Sequence, residues 1–170
     1  AEYGSRVFYA NGDQNGYIEN GVHHAWVAPV DTWSAIDSSR RFSSPPVGHL
    51  LATAFGRVWI ASGRVLWFTE PFAPFFVDMA RDAIPFVSSI HEMIVMPDGI
   101  FVSITGRIVF LSGTSPNEMQ QRDIVDYEIV PGTVVYTQAE NVGGARDTGL
   151  QGRIALATTT QGVCAFGPSG

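Results

Sequence analysis

The chain has 170 residues and a formal net charge of −6, and all ten of its basic residues are arginine. Nucleic-acid binders neutralise phosphates with a basic face or stripe, and the only basic pair here is Arg40-Arg41, so direct nucleic-acid contact is not expected. Charged residues make up 15% and aromatics 12%, which excludes a disordered composition and suits a sheet-rich body largely covered by neighbours.

The first predicted hairpin runs Arg6 to Ala10, turns over Asn11 to Gly16, and returns through Tyr17 to Glu19. The Asn-Gly-Asp-Gln-Asn-Gly stretch looks like the start of a calcium loop, but its twelfth position is Val22 rather than an acid, so it reads as a turn. His23 to Val27 is the predicted outer strand. His23 and His24 are adjacent in it and point to opposite faces, so they do not suit one metal ion. A Ser-rich loop over Asp31 to Pro46 follows. It holds the three candidate ligand or partner contacts: Trp33 in Asp-Thr-Trp-Ser, and Arg40 and Arg41 between two Ser pairs.

Next come Leu50 to Thr53, a turn at Phe55-Gly56, and a hairpin of Arg57 to Ala61 and Arg64 to Phe68 joined by Ser62-Gly63. Glycine supplies the positive φ that such turns need. Phe75 to Met79 is a poor outer strand, because Pro71 and Pro74 crowd its start. A third meander repeats the second. Met93 to Met96 passes a turn at Pro97-Asp98-Gly99 into Ile100 to Ile104, then Thr105-Gly106, then Arg107 to Leu111. Asn117 to Arg122, after Ser115-Pro116, predicts a single helical turn, and Asp123 to Val130 an outer strand. Gly143 to Gly152 is a loop. The last hairpin pairs Arg153 to Ala157 with Val163 to Phe166 across Thr158 to Gly162. Cys164 is the single cysteine, so no intrachain disulfide can form, and its apolar run makes it a buried small side chain.

A shift of 43 residues lays Gly56 on Gly99, Gly63 on Gly106 and Arg64 on Arg107; the step from Gly99 to Gly152 is 53. Short apolar strands repeating at this spacing predict an all-β fold of antiparallel meander repeats, propeller-like blades over 1–47, 48–90, 91–140 and a partial 141–170 within one repeat domain. Arms that are apolar nearly throughout suit strands covered on both faces. Two full and two partial repeats do not close a ring, so a longer protein or a multi-chain assembly is expected. The chain starting at Ala1 fits that reading or removal of an initiator Met.

Catalytic patterns are missing. No nucleophile elbow, phosphate loop, metalloprotease helix motif or cysteine pair occurs. Asp78, Asp82, Asp98, Asp123, Asp126 and Glu128 could in principle furnish a glycosidase pair, yet Asp98 sits in a Pro-Asp-Gly turn and Asp126 and Glu128 share one strand face. Not an enzyme, with no catalytic residue, cofactor or metal, is the reading. Trp59 and Trp67 belong to the repeat and read as packing, leaving Trp33 as the tryptophan open for binding. No leader-like apolar segment opens the chain, and no apolar run reaches the roughly 20 residues of a membrane helix.

The stretches Gly56 to Pro71 and Gly99 to Met119 resemble β-propeller virion proteins of tailed bacteriophages, similar to packaged-DNA stabilisation and tail hub proteins. In both, a hairpin is followed by a Pro-bearing link (Thr69-Glu70-Pro71, or Gly113-Thr114-Ser115-Pro116) and an outer strand. The resemblance covers residues 48–120. It implies a structural subunit of the neck or tail, located in the virion after assembly in the host cytoplasm. Its partners would be other virion proteins and copies of itself, met through the loops at 31–46, 71–74, 113–122 and 143–152. A carbohydrate- or receptor-binding tail-fibre module, with a host-surface glycan as ligand, is the alternative. A fragment of a propeller glycosidase is a weaker one.

Overall fold

A computed structural model describes residues 1–29, 39–144 and 149–168. The protein is all-β, built from antiparallel sheets, and the one helical element among the described residues is a 3₁₀ turn at Ala139–Asn141. The chain divides into two compact units, Ala1–Ile90 and His91–Gly170.

The first unit holds two four-stranded sheets. One is a consecutive meander of β1 (Glu2–Tyr3), β2 (Arg6–Ala10), β3 (Asn15–Glu19) and β4 (Val22–Ala25). The β2–β3 loop is Asn11 to Gln14. Asn11 Oδ1 accepts the backbone N–H of Asp13 at 3.0 Å and of Gln14 at 2.9 Å, which is the expected turn rather than a metal loop. After β5 (Phe42–Ser43), the second sheet is formed by β6 (Leu50–Ala54), β7 (Arg57–Ser62), β8 (Val65–Phe68) and β10 (Ala83–Pro85). The intervening β9 (Val77–Asp78) pairs with β5 instead of joining that sheet. So the segment at 75–79 is not the outer strand. Ala83–Pro85 takes that place, and its proline sits on an edge strand, where no N–H is missed. Phe8, Trp26, Val58 and Ile60 form the core, with Tyr17, Trp67 and Phe75 against them.

The second unit holds a sheet of β11 (Ile90–Met96), β12 (Gly99–Ile104), β13 (Arg107–Ser112) and β14 (Gln120–Val125). A three-stranded sheet of β15 (Val135–Gln138), β16 (Arg153–Thr159) and β17 (Gly162–Phe166) follows. All six residues of β12 are buried. Its one polar member, Ser103, accepts the Ile129 N–H at 2.8 Å, which removes the cost of burying a hydroxyl. Ile94, Phe101, Ile108, Phe110, Ala155, Ala157 and Phe166 make a common core. The expected single turn after Ser115-Pro116 is present but ends sooner: Glu118 and Met119 N–H both donate to the Ser115 carbonyl, as in one helical turn, and Gln120 to Arg122 belong to β14.

The two repeats match in sequence but not in turn register. Ser62 pairs with Val65, so the β7–β8 loop is Gly63-Arg64, with Gly63 at φ +58 in its first place. Ile104 pairs with Arg107, so the β12–β13 loop is Thr105-Gly106, with Gly106 at φ +77 in its second. The β16–β17 loop likewise shrinks from the expected five residues to Thr160-Gln161, closed by the pair Thr159 and Gly162.

Candidate interaction surfaces

Three non-glycine residues of the described chain have positive φ, and two of them meet at one end of the second sheet. Phe55 (φ +54) and Gly56 (φ +71) form the two-residue β6–β7 turn, with positive φ at both positions as a type I′ turn requires. Asn, Asp or Gly normally fills the first position, whereas a bulky side chain there costs about 1–2 kcal/mol. The second is Phe72 (φ +57), whose N–H donates to the Gly56 carbonyl at 2.7 Å. The Tyr3 hydroxyl donates to the same oxygen at 3.2 Å. Phe72 lies against Gly56, where a Cβ would come within 3.0 Å of its ring, yet the side chain stays 82% exposed. A strained backbone that holds an aromatic ring in water marks a candidate contact point.

The base of this loop is anchored by Arg40. Its Nε donates to Asp78 Oδ2 at 2.9 Å, its Nη2 donates to Glu70 Oε1, and Asp82 Oδ2 lies 3.8 Å away. The guanidinium also sits 4.8 Å over the Phe42 ring. Asp78 and Asp82 are both buried, and Asp82 Oδ2 accepts the Asp78 N–H at 2.7 Å. Burial pushes the Asp82 carboxyl above its ordinary range, against the backbone hydrogen bond and the attraction of Arg40 and Arg57, which favour the charged form. Burial likewise holds the Arg57 guanidinium below its usual range; Asp82 opposes that shift and Arg40 adds to it.

Arg40 is therefore tied into an ion cluster at the foot of the 70–74 loop. Arg41 is exposed beside it. Trp33 lies outside the described residues. Of the carboxylates considered for chemistry, Asp78 and Asp82 lie together in the Arg40 cluster. Asp123 pairs with Arg107 at 2.7 Å, and Glu128 Oε2 accepts the Gly106 N–H at 3.0 Å and steadies the β12–β13 turn. The histidines are separately engaged as well. His23 Nδ1 is 3.4 Å from the Tyr9 hydroxyl, His24 stacks on Tyr17, His49 donates to the Ile90 carbonyl at 2.8 Å, and His91 bonds Thr105 at 2.9 Å.

The second unit has a cleft of about 380 Å³, lined by Phe101, Ile124, Tyr127, Cys164 and Phe166 among others. The Tyr127 hydroxyl is 3.5 Å from Cys164 Sγ, and that contact, followed by burial, raises the phenol above its ordinary value. Cys164 is half-buried here, in contact with Thr159 Oγ1 at 3.7 Å.

The chain matches no protein-family model and no curated protein.

Sequence reading nominated the 71–74 loop for contacts but missed Phe72 as its tip. The one available signal was the Pro-Phe-Ala-Pro frame itself, in which a large apolar residue stands between two residues that resist burial in a sheet.

Proposed function

We propose that this chain is a structural subunit of a tailed-phage virion, placed in the neck or tail, that acts through protein–protein contacts and not through catalysis. Its antiparallel meanders are the blades of a propeller-like body; in the first and third sheets the strands follow chain order, as a blade requires. The resemblance of residues 48–120 to virion propeller proteins supports the same reading. Its partners are other virion proteins and copies of itself.

The observation that carries the proposal is Phe72. A ring 82% exposed, on a backbone at φ +57, with its loop foot clamped by Arg40, is a rigid apolar knob. Central aromatic anchors of this kind dominate permanent interfaces. The test is complementation: particles assembled with a Phe72→Ser subunit should accumulate as incomplete heads or tails, although the purified variant melts within about 2 °C of the wild type, as a surface change of under roughly 0.5 kcal/mol allows. Normal particle yield from Phe72→Ser would remove the knob from the account.

A further inference from the structure

Asparagine followed by glycine occurs three times, at Asn11-Gly12, Asn15-Gly16 and Asn20-Gly21. The dipeptide is chemically labile, because glycine has no side chain to shield its amide nitrogen from the asparagine Cγ. All three pairs share that feature, so their surroundings decide which one reacts. At Asn11 the side-chain Oδ1 is held by the Asp13 and Gln14 N–H groups, and the Gly12 N–H donates to the Gly48 carbonyl at 2.9 Å. At Asn15, Nδ2 donates to the Pro46 carbonyl and Oδ1 accepts the Gly48 N–H at 3.1 Å. Gly16 is buried in the sheet, paired with Tyr9 on one side and Ala25 on the other.

Asn20-Gly21 lacks these ties. It forms the whole β3–β4 loop, closed by the pair Glu19 and Val22. Asn20 at φ +52 and Gly21 at φ +78 supply the two positive angles of a type I′ turn. The closing hydrogen bond of such a turn belongs to the outer pair, which leaves the N–H of the second loop residue to water. Both residues are exposed, and among the described residues nothing bonds the Asn20 amide or lies within 4 Å of a Cβ placed on Gly21. We propose that Asn20 is a deamidation site and that it converts before Asn11 and Asn15. The Gly21 nitrogen gives its proton to hydroxide and attacks Asn20 Cγ. The new N–Cγ bond closes a cyclic imide, the Cγ–Nδ2 bond breaks, and Nδ2 leaves as ammonia after taking a proton from water. A second water then opens the imide at either carbonyl. One opening gives aspartate, the other isoaspartate, whose main chain runs through Cβ and Cγ. The attack requires rotation about the Asn20 Cα–C bond. A hairpin end beside β4, the outer strand of the described sheet, permits it, whereas the tied side chains of Asn11 and Asn15 resist it.

Isoaspartate lengthens the main chain of the loop by one carbon, and loop length sets the register of a hairpin. The strand so affected is β4, which runs straight into Trp26. That indole lies 4.6 Å from the Phe8 ring between centroids, and its Nε1 donates to the Pro74 carbonyl at 2.9 Å. Aged protein therefore gains a negative charge and loses stability in the first unit. The chemistry needs no partner and is independent of the subunit reading.

The experiment incubates the folded chain at mildly alkaline pH beside a sample unfolded in urea. Both are then cut after glutamate at mildly acid pH, where imide formation is slow. Cuts after Glu2 and Glu19 separate Asn20 from Asn11 and Asn15. Tandem mass spectrometry locates the amide-to-acid mass gain, and electron-transfer fragmentation distinguishes isoaspartate from aspartate. In the folded chain Asn20 should convert several-fold faster than Asn11 or Asn15, and in urea the three rates should converge. Asn20→Gln should abolish the early acidic species on ion exchange. Conversion of Asn11 or Asn15 as fast as Asn20 in the folded chain overturns the proposal, and so does an Asn20 that stays amide when folded yet converts in urea. An isoaspartate fraction that melts with the fresh protein overturns the expected loss of stability.

Discussion

Residues that align in the repeat do different physical work. Gly56 and Gly99 match across 43 residues. Gly56 is a turn residue at φ +71, whereas Gly99 opens β12, where an added Cβ would lie 2.3 Å from the Leu111 carbonyl oxygen and 2.5 Å from the Phe110 ring. Gly99→Ala should therefore cost about 3 kcal/mol through overpacking against backbone that cannot retreat. Gly63→Ala, with open space around it and only the φ of +58 to strain, should cost about 1 kcal/mol. Urea melts of the two variants check the order, and equal losses would contradict it. Arg40→Met should be more damaging than a surface change, about 3 kcal/mol, because it strands the buried Asp78 carboxylate. Asp82 carries the pH dependence. A carboxyl raised in the fold binds its proton more tightly folded than unfolded, so it weakens the fold above its raised value. That penalty fades as pH falls through the raised value towards the ordinary 3.8. The melting temperature of Asp82→Asn relative to wild type should thus be higher at neutral pH than near pH 3.8; a difference that does not vary with pH would contradict this.

At the scale of elements, the hairpins were legible because short, nearly continuous apolar runs and turn glycines are local signals. Arg6–Ala10, Arg57–Ser62, Arg107–Ser112 and Gly162–Phe166 all lie where the pattern put them, within a residue or two. Loop register was not legible. A glycine can serve the first or the second place of a two-residue loop, and only the cross-strand pairing shows that Gly63 does the former and Gly106 the latter. Outer strands were less legible still. Ala83–Pro85 is three residues with a proline, and its partner β8 ends at Phe68, so nothing local announces the pairing. The Arg40 cluster joins residues 30, 38 and more apart in sequence, and such long-range ion pairing leaves no local trace. Core packing, by contrast, follows from the pattern directly: Phe101→Ala in β12 should cost about 3–5 kcal/mol, measured by denaturant melts, since its ring sits between Phe110 and Phe166.

For the whole molecule, each unit holds its own buried core, one around Phe8, Trp26 and Ile60, the other around Phe101, Phe110 and Phe166. Each unit also keeps apolar groups in water at defined places, Phe72 in the first and Val163 in the second. Antiparallel meanders that keep large apolar side chains such as Phe72 in water suit assembly with partners. The most direct test of that assembly being a virion is peptide mass spectrometry on gradient-purified particles from the source of the sequence, comparing tailed particles with tailless heads. The account predicts peptides such as Ile124 to Arg146 in the tailed particles and their depletion from heads without tails. Their absence from every particle would contradict it.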